Sequence, residues 1–490
     1  MARATRRSSD DRDFFALVAQ AAFLNPFDSA YKELLQRIAG GASRADLADK
    51  AAAVVITRIT ALESTGRATL AEWHGEERDN MWLVFLFEVY RRFEKEFDGL
   101  IAAQIEAGDT PVPAPFSTEA LALLHRRGFA PAETVRLFAM LFQVRRAAHF
   151  IRDGLIGRSA CMRELRRHLW QSVFTHDIRW YERHLWDRME DFSTLLLGET
   201  GTGKGTAAAA IGRSGFIPFD AKKGVFTESF TRSFVSLNLS QFPEALIESE
   251  LFGHRKGAFT GAIDAYEGVF ARCSPHGAIF LDEIGDVREP VQLKLLQVLQ
   301  ERVFSPVGSR ERQRFRGRVI AATNRAVNQL RERGVFRDDF YYRLCSDTIT
   351  VPPLRQRLRE EPRELDDLLE SLIARMTGAP SPALAADVRE ILIECVGRDY
   401  AWPGNVRELE QAVRRVLLTR RYEGEARTMA PDPRTAFISA IEAGQLDADS
   451  LLGGYCRLLY ERSGNYEEVA RQTGLDRRTV RKYVAHAKRS

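Results

Sequence analysis

The chain has 490 residues, 45% of them hydrophobic, with a formal net charge of +4. That length allows about three domains, each able to bury a core. No segment approaches the ~18 apolar residues of a membrane helix, the longest candidate being residues 81–87, and the basic start runs into Asp10 and Asp11, not into an apolar signal core. Five cysteines, Cys161, Cys273, Cys345, Cys395 and Cys456, are scattered and never form a C-x-x-C pair, which argues against disulfides and a structural metal and for a reducing cytoplasm.

Residues from about 11 to 150 read as successive helices. Phe85, Val89, Phe93 and Phe97 recur at four-residue spacing, and Val135, Phe138, Leu141 and Phe142 repeat the stripe after the Pro-rich break at 110–115. Amphipathic helices bury such faces, so the aromatics are expected in a core rather than around a ligand. A receiver domain would alternate strands with helices, and this pattern does not.

From about 155 to 350 the texture changes to short apolar runs ending in polar motifs: residues 194–197, 234–237, 278–281 and 319–322. This predicts a covered parallel sheet whose ligand sits beyond the strands' C-terminal ends. The first run leads into Gly198, Glu199, Thr200, Gly201, Thr202, Gly203 and Lys204, then an Ala-rich helix. Strand, loop and helix in that order make G-x-x-x-x-G-K a phosphate loop: bare backbone N–H groups cradle phosphates and Lys204 reaches the β and γ positions of ATP. Gly205 stands where a Ser or Thr ligand to Mg2+ is usual, and Thr206 comes one place late. Magnesium must then lean on Asp282, at the end of the 278–281 run, while Glu283 orients or deprotonates the attacking water.

Between these motifs lies Gly257-Ala258-Phe259-Thr260-Gly261-Ala262, one bulky apolar side chain at the tip of a flexible, glycine-bounded loop. Such a loop is poor core material and a good probe of another surface. With the phosphate loop and the acidic strand, this hexapeptide resembles the GAFTGA loop of the bacterial enhancer-binding proteins, the AAA+ ATPases that activate sigma-54 RNA polymerase. The resemblance covers about residues 155–420. It implies that Asn238 holds the catalytic glutamate off duty, that Asn324 watches the γ-phosphate, that Arg337 and Arg343 reach a neighbouring subunit's nucleotide, and that Arg407 on a helical lid is a second sensor. An always-charged planar fork suits a spreading γ-phosphate charge, and Arg407 in a helix's first turn is favourable only with an anion nearby. The resemblance further implies a ring, as hexamer, and contact of the loop with sigma-54. Two segments, 171–192 and 211–232, are longer than in such relatives and are expected to alter either the nucleotide rim or the subunit contacts.

At the C-terminus, residues 476–490 carry six Lys or Arg and one Asp. Residues 466–472, a turn at 473–475, and 476–487 read as helix, tight turn, helix, with Ala470, Gly474 and Val480 at the spacings of a helix-turn-helix and Asp476 as N-cap. Arg477, Arg478, Thr479, Arg481 and Lys482 are expected to meet double-stranded DNA, in the manner of the Fis-like domains that end this family, with a dimer on the DNA.

The expected architecture is multidomain α/β: an all-helical regulatory domain over 1–152, the α/β ATPase subdomain over 153–352, its helical lid over 353–425, a linker over 426–448 and the DNA-binding domain over 449–490. The leading reading is a sigma-54-dependent activator that binds enhancer DNA and remodels the polymerase holoenzyme at the cost of ATP. Gly205 and the long segments leave open a DNA-binding regulator without turnover. An AAA+ remodeller unrelated to sigma-54 would explain the ATPase motifs and leave the loop unexplained.

Overall fold

The computed structural model describes residues 2–22, 24–41, 47–424, 437–438, 440–441 and 446–486. It separates into two compact units, Met1–Tyr422 and Glu423–Ser490. Most of the linker expected over 426–448 lies outside the described residues.

The first part of the larger unit is helical as its periodicity predicts: Ala2–Ala22, Ser29–Ile38, Leu47–Glu63, Gly75–Arg92, Glu94–Ala107, Ser117–Arg126 and Pro131–Ala148. The Pro-rich break falls between the fifth and sixth of these. Phe85, Val89, Phe97, Phe138, Leu141 and Phe142 are all buried, so the aromatic stripes form a core. Phe97 and Phe142 stack with ring centroids 5.8 Å apart.

The centre is a five-stranded sheet: β1 Thr194–Leu197, β2 Phe234–Asn238, β3 Ala278–Asp282, β4 Arg318–Thr323 and β5 Asp347–Thr350. Its order is β2-β3-β4-β1-β5 and every pairing is parallel. Successive side chains point to opposite faces, and both faces are covered, which is why β1, β3 and β4 read as unbroken apolar runs. Leu195, Ile279, Leu281, Val319 and Ala321 enter the core shared with helices Glu244–Phe252 and Glu289–Glu301. Leu196, Phe280 and Ile320 face Ala207, Ala208 and Ile211 of helix Lys204–Gly212. Beyond β5, helices Leu354–Glu360, Glu364–Thr377, Pro382–Val396 and Asn405–Thr419 enclose a separate core that includes Leu369, Ile373, Leu409 and Val413.

The two long segments pack against the N-terminal helices. Phe219, Phe226 and Phe230 join the N-terminal aromatic core, with Phe138 to Phe219 at 4.8 Å and Phe142 to Phe226 at 4.4 Å between centroids. The main chain is stitched as well: Ala114 N–H donates to the Gly224 carbonyl at 2.9 Å. Arg146, fully buried, donates to the carbonyls of Arg213 at 2.8 Å and Gly215 at 2.7 Å, just past the end of the phosphate-loop helix. In the first segment, the Gln143 amide donates to the Tyr181 hydroxyl at 2.8 Å and to the Ser214 carbonyl at 2.9 Å. The N-terminal helices and the sheet domain are therefore joined through a common core.

The smaller unit contains helices Ala448–Ser463, Tyr466–Thr473 and Arg477–His486 around Cys456, Val469, Val480 and Val484. Gly474 takes φ +71°, the left-handed turn that ends the second helix.

Phe142 bridges the N-terminal core and the 211–232 segment, so Phe142→Ala should cost about 3–5 kcal/mol. Urea unfolding of the full chain measures this as a lower midpoint; an unchanged midpoint would mean the two parts do not share a core.

Candidate nucleotide site and exposed loop

The strand ends converge as the parallel order requires. β1 runs into the glycine loop, where Gly201 has φ +81° and Gly203 φ +102°, conformations that cost side-chain-bearing residues and cost glycine little. The Lys204 ammonium donates to the carbonyls of Gly198 at 2.9 Å and Glu199 at 3.1 Å and has no carboxylate within ion-pair distance among the described residues. Burial pulls its pKa down, with Arg407 adding to the effect against the upward pull of Glu283 and Asp282. A buried cation on a glycine loop at a helix N-terminus fits a phosphate chain.

A cavity of about 530 Å³ opens in front of this loop, within the range of small-ligand sites. Its lining includes the polar Asn238, Asp282, Glu283 and Arg407 and the apolar Leu155, Ile156, Met162, Leu368 and Leu372. Polar groups for phosphates and apolar ones for a base suit a nucleotide.

At the end of β3, Glu283 adopts φ +57°, a left-handed conformation rare in non-glycine residues, and its N–H donates to Asp282 Oδ1 at 3.0 Å. Burial and then the Asp282 charge raise the Glu283 pKa above its ordinary value, while Lys204 opposes them. Its carboxylate therefore keeps a proton to a higher pH than an exposed glutamate does, and its base form is lost earlier as pH falls. Among the described residues no group of three or more His, Cys, Asp or Glu could hold a metal. One carboxylate, Asp282, beside a phosphate cradle is the donor set with which Mg2+ binds through phosphate oxygens and water. A Cβ on Gly205 would meet only Phe280, at 3.9 Å, so nothing steric enforces glycine there.

The other predicted residues divide. The Asn324 amide donates to Thr200 Oγ1 at 2.9 Å, placing it on the phosphate loop. Asn238 sits opposite Asp282 in register, but its amide oxygen accepts from Ser240 N–H and hydroxyl at 3.0 and 2.8 Å, capping the turn Leu239–Gln241. Arg337 pairs with Asp339 and Glu289, and Arg343 donates to the Leu299 carbonyl; neither lines this chain's own cavity.

Sequence reasoning missed the clamp between loop and lid. Val406 N–H donates to the Gly201 carbonyl at 3.0 Å. The Asn405 amide donates to the Thr200 carbonyl at 3.0 Å and accepts from Leu354 N–H at 2.8 Å. Glu199 and Arg355 form a two-pronged pair, with one bond of 2.7 Å. The available signal was Asn405 itself, whose φ of +55° is one that asparagine tolerates.

The glycine-bounded loop leaves helix Glu244–Phe252 and is pinned at its stem. His254 exchanges backbone bonds with Tyr266, at 3.0 and 2.9 Å, and Arg255 N–H donates to Val307 at 3.1 Å. At the tip, Gly257 N–H donates to the Ala262 carbonyl at 2.8 Å. Ala262 is buried, Thr260 is exposed, and Phe259, 37% exposed, leans edge-on against the His254 ring at 4.9 Å. Phe259 is thus presented, though less freely than its glycine neighbours suggest.

In the smaller unit, Asp476 caps the last helix, accepting from Arg478 N–H at 2.9 Å and Thr479 N–H at 3.0 Å. Arg478, Arg481 and Lys482 are exposed and make no ion pair among the described residues. Arg477 pairs with Glu467 at 2.9 Å, and the Thr479 hydroxyl is engaged by Asp476 at 2.6 Å.

A Cβ on Gly201 would stand 2.2 Å from the Gly404 carbonyl oxygen. Gly201→Ala should push the lid off the loop and weaken ATP binding about tenfold or more, since a displaced carbonyl and a strained φ each cost on the order of 1 kcal/mol. Calorimetric titration with ATP measures it, and parental affinity would contradict the clamp.

A family model described as the Sigma-54 interaction domain matches residues 181–350. The chain is 42% identical to the Nif-specific regulatory protein of Azotobacter vinelandii over 46% of this chain and 39% of that protein. It is 39% identical to the sigma54-dependent transcriptional activator SfnR of Pseudomonas putida over 56% of this chain and 71% of that one. Of the first such relatives it spans about half the length or less. Among solved structures, NtrX from Brucella abortus in complex with ATP aligns over 76% of this chain and 80% of its own, with a TM-score of 0.42 and 20% identity. With the phosphate loop, the acidic strand end and the pinned loop in place, the SfnR match over most of that protein's length shows that the chain belongs to the sigma-54-dependent transcriptional activators.

Proposed function

We propose that the chain hydrolyses ATP with Mg2+ and uses the turnover to drive Phe259 and Thr260 against sigma-54 RNA polymerase while its C-terminal helices hold enhancer DNA. The observation that carries this reading is the continuity from site to loop. β2 ends at Asn238 beside Asp282, the next turn is capped by that same Asn238, and helix Glu244–Phe252 then delivers the pinned stem at Gly253 and His254. A change at the γ-phosphate thus has a short, stiff route to an exposed apolar tip. Lys204 and Arg407 take phosphate charge, Asp282 holds the metal, and Glu283, with its raised pKa, accepts a proton from the attacking water. Arg337 and Arg343 lie outside their own cavity, which suits a ring in which they complete a neighbour's site.

Thr260→Ala should leave ATP turnover within about twofold, because Thr260 touches no reacting group, and should abolish transcription from a sigma-54 promoter in a purified system. Full activation by that variant would overturn the assignment of the loop. Glu283→Gln should lower turnover about 100-fold or more, the usual contribution of a positioned general base. Robust hydrolysis by it would point to another base.

On DNA, Arg481→Ala should weaken binding at every sequence and reduce the slope of log affinity against log salt by about 0.9, if the guanidinium meets a phosphate. Fluorescence anisotropy across a salt series measures both, and loss confined to one base position would instead make Arg481 a base reader.

A further inference from the structure

At the end of the sheet opposite the phosphate loop, a cavity of about 350 Å³ lies where β3 and β4 begin. Five parts of the chain wall it: Gln143 from the N-terminal helices, Tyr181 and Trp186 from the first long segment, Phe216 from the second, and the approaches to β3 and β4. Trp186 and Phe216 meet edge to face at 4.8 Å and make an apolar wall.

The opposite wall is cationic. Arg318 is 9% exposed, and its guanidinium donates only to neutral acceptors: the Phe192 carbonyl at 2.9 Å, Ser172 Oγ at 2.8 Å and Thr194 Oγ1 at 2.9 Å. Its second amino group has no partner among the described residues, and no carboxylate lies within ion-pair distance. Burial pushes its pKa down to about 10, which leaves it charged at neutral pH. Arg314 and Arg316 also line the cavity and make no ion pair among the described residues. The carboxylates present are Asp187, facing Arg188 at 4.0 Å, and Glu190, whose charge acts on Arg302. His276, also in the lining, is held toward its neutral form by burial. A desolvated guanidinium with a spare N–H pair and no ion pair among the described residues, supported only by the charge of Asp347 beyond ion-pair distance, is costly unless an anion completes it.

We infer that this cavity binds a small organic anion, its carboxylate or phosphate paired with Arg318, Arg314 and Arg316 and its body against Trp186 and Phe216. Gln143 links the wall residue Tyr181 to the Ser214 carbonyl. An occupant therefore touches the seam that holds the N-terminal helices to the end of the phosphate-loop helix. Binding here does not depend on contact with sigma-54.

The test uses the full chain saturated with a non-hydrolysable ATP analogue, so that the phosphate loop is filled, and calorimetric titration with benzoate and separately with inorganic phosphate. At least one probe should bind saturably in the millimolar range, and the Arg314→Ala/Arg316→Ala double variant should weaken it about tenfold or more, with affinity for the ATP analogue unchanged. Both replaced residues are exposed, so the variant should keep the fold. Binding of benzoate alone would mean the apolar wall is required; binding of phosphate alone would mean the oxyanion suffices. No saturable binding of either probe to the parent chain, or equal affinity in the double variant, overturns the site.

Discussion

The hydrogen bond from Val406 N–H to the Gly201 carbonyl is the constraint on which the site depends. Gly201 can take its left-handed φ and approach the Gly404 carbonyl only because it lacks a Cβ. Through that approach the phosphate loop, a part of the sheet domain, becomes one wall of a cavity whose other wall is the lid. Asn405 reinforces it by spending its amide on both sides, on Thr200 and on Leu354. The Glu199–Arg355 pair is half exposed and adds little energy of its own. Its contribution is direction, since a two-pronged carboxylate–guanidinium pair fixes the orientation of both partners.

A second constraint is the shared core between the N-terminal helices and the 211–232 segment. Removing the N-terminal helices would strip cover from Phe219, Phe226 and Phe230, each of which is buried. Those three rings would otherwise form an apolar patch of the kind soluble proteins avoid. The long segments thus have a physical reason to exist that the ATPase alone does not supply. Arg146 makes the seam specific: a fully buried cation with no ion pair among the described residues, held by two carbonyls and by the rings of Phe142 and Phe230 at 4.9 and 5.5 Å. A slip of helix against segment would take both carbonyl acceptors from a buried cation, which is costly.

Which of these features could be read from the sequence follows from the range of the interactions involved. Gly198 to Lys204, Asp282 with Glu283, and the Asp476 cap are local devices, so spacing was enough to find them. Three strands, β1, β3 and β4, were legible because burial on both faces removes polar residues from them, and β2 was legible from its Phe234, Val235 and Leu237 although Ser236 is exposed. The other edge strand, Asp347–Thr350, was not, since only Ile349 is buried and its neighbours are polar and partly exposed. The clamp and the seam were illegible for another reason: Gly201 meets Val406, and Phe142 meets Phe226, across spans with no periodicity to mark them. Asn238 is an intermediate case. Its place at the end of an apolar run was legible, whereas its engagement with Ser240 depends on a turn that the sequence permits without requiring.

The two ends of the sheet then have different mechanical roles. At the C-terminal ends, Asn238, Asp282 and Asn324 meet the phosphate loop, and the helix that follows Asn238 carries Gly253 and the loop stem. At the N-terminal ends, Arg318 and the termination of helix Lys204–Gly212 meet the N-terminal helices through Gln143 and Arg146. Helix Lys204–Gly212 is common to both, beginning at the phosphates and ending at the seam. Packed interiors resist continuous deformation, so a shift at one end of a nine-residue helix cannot be absorbed along its length. A strain applied at the seam must reach Lys204 or break the contacts of Arg146, whose side chain is fully buried.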